Sequence, residues 1–63
     1  MLAFNGARLT IARQYRCLTI EELSKKTGIS TATIRKHESG KGIPTKENQT
    51  IYSQILRFPK SVW

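Results

Sequence analysis

The feature that most constrains this chain is TIEELSKKTGISTATIRKHESG, from Thr19 to Gly40. Two helix starts and two helix stops fall inside it. Thr19 offers a capping hydroxyl, and Glu22 stands three residues on, the spacing of a capping box. Leu23 gives this first segment its apolar anchor. Gly28 ends it, because glycine enters the left-handed region without a Cβ clash. Ser30 or Thr31 then starts a second helix that runs through Ile34 to Ser39 and Gly40. The predicted spans are 20–27 and 31–39. In the first, Glu21 and Glu22 precede Lys25 and Lys26, the order that complements the helix dipole.

The second segment is thinly hydrophobic. Ile34 is its one clear anchor, and only Ala32 or His37 could join it inward. A short helix that is polar over most of its surface suits a groove-reading element better than a core element. Two helices joined by a short turn containing glycine form a helix-turn-helix, whose second helix enters the DNA major groove. The charge agrees. Eleven Lys or Arg stand against four Glu and no Asp, a net +7, and the pI is about 10.2. That exceeds the value of about 9 that marks an electrostatic footprint for nucleic acid. Such a charge also serves solubility.

The flanking sequence predicts a small bundle of four to five short helices around this pair. Met1–Phe4 is an apolar lead-in. Asn5 caps a helix over 6–17, with Leu9, Ala12 and Ile11 as its apolar positions and Tyr15 or Arg16 covering a flank. The chain turns at Cys17 and Leu18, and a cysteine fits there only if the turn needs no positive φ. After the loop 40–44, Thr45 caps a last helix whose apolar face is Ile51, Tyr52, Ile55 and Leu56. Pro59 ends it, and residues 60–63 have room for one further turn.

A chain of 63 residues makes one domain, residues 1–63, which buries only about 60% of its unfolded surface. Its core supplies about 3–5 kcal/mol net. The single cysteine, Cys17, permits no internal disulfide and no zinc site, and a reducing, cytoplasmic setting fits. No apolar run approaches the roughly 20 residues of a membrane span, and the start lacks the apolar stretch of a signal peptide. One His and one distant Cys make neither a metal site nor a catalytic dyad. The chain therefore reads as a non-enzyme without cofactor, with His37 as a filler against the last helix.

Taken together, these residues resemble the Cro and phage-repressor type of helix-turn-helix, the xenobiotic-response-element family. The resemblance rests on Leu18, Thr19, Leu23-Ser24, Gly28-Ile29-Ser30, Ile34, Glu38-Ser39-Gly40 and Pro44, with Arg8-Leu9 and Ala12-Arg13 before them. Leu56-Arg57-Phe58-Pro59 is similar to the L-G-[VF]-P that closes such domains. Members often carry glycine at the position of Cys17, and Ser24 stands where alanine is usual. Lys46 and Gln49 stand where the last helix is commonly apolar, so a late start or altered packing is expected there. RLTIARQYR, IRKHESGK and LRFPKSVW are similar to the DNA-binding domain ahead of ImmA/IrrE-type metallopeptidases, in which Val62-Trp63 would lead into the next domain. No H-E-x-x-H motif is present, so no peptidase chemistry attaches to this chain.

The resemblance implies an all-α, lambda-repressor-like fold that binds double-stranded DNA in transcription regulation. It places base contacts at Ser30, Thr31, Ala32, Arg35 and Lys36 in the recognition helix. Arg35 and Lys36 have as alternatives phosphate contact or a solvated face. It places phosphate contacts at Thr19, Ile20, Lys41, Gly42 and Ile43, near helix N-termini, and at Arg13. An Arg13–Glu38 ion pair would tie the first helix to the end of the recognition helix. A homodimer is expected only on DNA or through a missing C-terminal domain. The competing reading is a protein-binding adaptor or antitoxin-like partner, which the apolar residues Phe58, Val62 and Trp63 favour. A regulatory domain of a larger phage or mobile-element protease is a third.

Overall fold

The computed structural model describes residues 4–63, and among them the chain is all-helical. Helices α1 (Gly6–Tyr15), α2 (Ile20–Thr27), α3 (Thr31–Ser39) and α4 (Lys46–Leu56) follow in order, and a 3₁₀ turn (Lys60–Val62) closes the chain. Of the apolar lead-in, Met1–Ala3 lies outside the described residues, and Phe4 is half-buried. No helix among the described residues is long and apolar enough to cross a membrane.

Every α-helix begins on a side-chain cap. Asn5 accepts from the Arg8 N–H at 3.3 Å. Thr19 and Glu22 bond each other's backbone N–H at 3.0 and 2.8 Å, a complete capping box. Ser30, rather than Thr31, caps α3 by accepting from the Thr33 N–H at 3.2 Å, and Thr45 caps α4 through Asn48 at 3.1 Å. Gly28 ends α2 in the left-handed region, at φ +77°.

Leu9, Leu23, Ile34, Tyr52 and Leu56 are fully buried, and Ala12, Ile29 and Trp63 complete the core. The helices contribute one or two anchors each, which is how so short a chain makes one shared interior. Gly6 lets α1 close on α3. A Cβ at Gly6 would meet the carbonyl oxygens of His37 and Glu38, the latter at 2.7 Å. His37 is inward, as a core filler, with its Nδ1 2.8 Å from the Tyr52 hydroxyl.

Five local expectations give way to the structure. The first helix ends at Tyr15 rather than Cys17, and Cys17 does adopt a positive φ, +59°. That conformation reverses the chain so that the Leu18 N–H reaches back to the Arg13 carbonyl at 3.1 Å. Ile11 is 64% exposed, because the buried stripe of α1 follows Leu9 and Ala12 and leaves position 11 on the far side. Helix α4 starts directly at Lys46, and Gln49 fits its polar position by donating to the Pro44 carbonyl at 3.1 Å. Trp63 folds back into the core, its Nε1 donating to Ser53 Oγ at 3.1 Å. Its ring therefore belongs to this domain's own packing.

Candidate nucleic-acid interface

On α3, each residue is turned about 100° from the last. Thr31, Arg35, Ser39, Ala32 and Lys36 therefore occupy one continuous arc, while Ile34 and His37 occupy the arc facing the core. Burial follows that division. Ala32, Arg35, Lys36 and Ser39 are exposed and Thr31 is half-buried. Four of the five residues expected to meet bases thus share a face. Ser30 does not extend it freely, since its hydroxyl also donates to Thr33 Oγ1 at 2.8 Å while serving as the cap. Ser39 is on the same arc, a position the sequence reading passed over although it follows Ala32 by seven residues. Its hydroxyl is turned back to the Lys36 carbonyl at 3.1 Å.

The one carboxylate of α3 is withdrawn from that arc. Glu38 accepts from Arg13 Nε at 2.8 Å, Arg13 Nη2 at 3.2 Å and Thr10 Oγ1 at 3.0 Å. Arg13 also donates through Nη1 to the Leu18 carbonyl at 2.7 Å. The two side chains are only 12% and 10% exposed. Arg13 is therefore held inside the bundle on three of its donors, which leaves it little reach toward a phosphate. Thr10 is the member of this cluster that the sequence did not single out. Its signal is positional: it lies four residues after Gly6 and three before Arg13, on the face of α1 turned to α3.

The backbone donors divide in the same way. The Lys41 and Gly42 N–H groups both bond the Lys36 carbonyl, at 3.0 and 3.3 Å, where Gly40 ends α3 in the left-handed region. Those two residues do not present backbone donors to a ligand. The exposed Lys41 side chain still does, and Ile43 is 68% exposed. At the start of α2, the Thr19 N–H is taken by Glu22. The N–H groups of Ile20 and Glu21 have no intrahelical acceptor by position. Glu22 is fully exposed, and its carboxyl is held below the usual range, first by the bond from the Thr19 N–H.

Capped helices around a left-handed glycine, with a cationic arc on the second of them, define a small DNA-binding domain of the helix-turn-helix class. The helix-turn-helix family model, of the Cro and phage-repressor type, matches residues 12–60, and the chain belongs to that family of repressor-like transcription regulators. No curated protein matches the chain.

Proposed function

We propose that the chain binds double-stranded DNA sequence-specifically, with α3 in the major groove. The observation that carries this reading is the exposed arc of α3, which holds Arg35 and Lys36 and no acid because Glu38 is turned inward and paired. Arg35 and Lys36 have the reach and the donors for guanine O6 and N7, Thr31 for a base edge, and the Ala32 methyl for thymine. Ser30 contributes through its place at the helix start. Phosphates are met by the first-turn N–H groups of α2 at Ile20 beside Thr19, by the Lys41 side chain, and by the loop at Ile43, while Gly42, its N–H bonded to the Lys36 carbonyl, only shapes that loop. Arg13 acts through Glu38 rather than by direct contact.

A module of this size has little surface for a strong dimer. It pairs on DNA, on half-sites one helical turn apart, or through a further domain. The test is a gel shift on a selected operator and on random duplex. Lys36→Ala is expected to weaken operator binding by about 1–3 kcal/mol and random-duplex binding much less. Equal loss on both would make Lys36 a phosphate contact.

A further inference from the structure

A second surface lies across α1 from α3. Gly6, Thr10 and Arg13 share the α1 face turned to α3, where Thr10 and Arg13 bond Glu38. At about 100° per residue, Arg8, Ile11 and Tyr15 fall on the opposite face. With Phe58 and Val62 they line an apolar cleft of about 200 Å³. Ile11 and Tyr15 are 64% and 70% exposed, so two of the three exposed large apolar side chains among the described residues meet in this one place.

The cleft is flanked by cations. At one end, Arg8 donates through Nη1 to the Val62 carbonyl at 3.0 Å. At the other, the Arg16 guanidinium lies 4.8 Å from the Phe58 ring centroid and 5.2 Å from that of Tyr15. Arg16 is also a wall of a second hollow, shared with Lys26 and Arg57. No acidic side chain lines either hollow. Arg8 and Arg16 bond backbone carbonyls through one and two donors respectively, which orients them, leaves other donors free and leaves their charge uncompensated. The one ion pair among the described residues is Arg13–Glu38, on the other face of α1.

The geometry points to a docking surface for an acidic amphipathic segment of a partner protein, its apolar side chains in the cleft and its carboxylates over Arg8, Arg16 and Arg57. Charge complementarity selects this occupant. A second copy would bring the same net +7 to the contact. Because α3 packs on the far side of α1, the partner and DNA bind together, and the inference does not depend on the DNA reading.

The test is fluorescence anisotropy of the intact chain with labelled peptides of about 16 residues, a little over four helical turns. One peptide carries Leu and Phe at i, i+3, i+4 and i+7 among Glu, a second has those apolar residues changed to Ser, and a third has Glu changed to Lys. The first is expected to bind at least about tenfold more tightly than either control. The double variant Ile11→Ala, Tyr15→Ala is expected to lose that advantage while keeping its melting temperature and its DNA affinity. Equal binding of the Ser peptide, or no effect of the double variant, overturns the proposal. So does competition between the peptide and duplex DNA, or a dimer in sedimentation velocity that the double variant dissolves. Peptide binding without any DNA binding would leave this inference standing and sink the DNA reading instead.

Discussion

Glu38 is the residue on which two elements depend. It gathers three donors from α1 while nearly shut off from water. Removing one partner of such a cluster leaves the other charge desolvated and unpaired. Glu38→Ala is therefore expected to cost about 3–5 kcal/mol, read as a large fall in melting temperature. An unchanged melt would mean the pair contributes nothing. His37, one position earlier, makes stability depend on pH. It is buried against Tyr52, and desolvation holds its pKa below 6.5. The same burial, with the Glu38 charge, pushes the Tyr52 hydroxyl up, so it stays neutral across the range tested. Between the lowered folded pKa and about 6.5, the unfolded chain binds the proton and the folded chain does not. The contribution of His37 is thus complete above about pH 6.5 and falls as pH drops through the folded value. Melts from pH 8 to 5 should show this decline, and His37→Gln should flatten it. The sequence pointed to the Arg13–Glu38 pair through a family pattern, and to His37 only as a filler. The Tyr52 partner was hidden because a bond between α3 and α4 depends on how the two helices dock.

At the scale of elements, the turns show what composition cannot reveal. Helix starts were legible because a cap is a local device: Asn5, Thr19, Ser30 and Thr45 lie within three residues of the N–H they satisfy. Gly28 and Gly40 marked their stops for the same reason. Cys17 and Arg57 did not, since both adopt positive φ, +59° and +60°, without being glycine. Neither residue type announces that conformation by itself; only the glycine usual at both positions in the family that the chain resembles hints at it. A Cβ in the left-handed region costs roughly 1–2 kcal/mol. Cys17→Gly is therefore expected to stabilise the domain by about 1 kcal/mol, less what glycine adds to the entropy of the unfolded chain. A rise of several degrees in a thermal melt would show it, and a fall would mean the turn carries no strain. Arg57 is a poorer target, because Arg16 bonds its carbonyl and stacks beside Phe58.

Over the whole molecule, the all-helical bundle was legible from spacing, and its distribution of charge was not. The sum of +7 conceals that Arg13 is internal, that Arg16 holds the end of α4, and that the α3 arc is free of acid. Only folding sorts eleven similar cations into anchors and exposed charge. This sorting predicts how salt acts on DNA binding. Each phosphate neutralised adds about −0.9 to the slope of log K against log salt. Lys41→Ala is expected to flatten that slope by about 1 across all duplex sequences. A slope equal to that of the parent chain would remove Lys41 from the interface.

The closure of α3 has a further consequence. The Lys41 and Gly42 N–H groups fasten onto the carbonyl of Lys36, an atom every amino acid supplies. The fold holds position 36 by its main chain and leaves its side chain to drift. Ala32 and Arg35, exposed on the same arc, have the same freedom, while Ile34 and Glu38 do not. With α3 reading bases as proposed, a lineage built on this scaffold can acquire a new target by point mutation without passing through an unfolded ancestor.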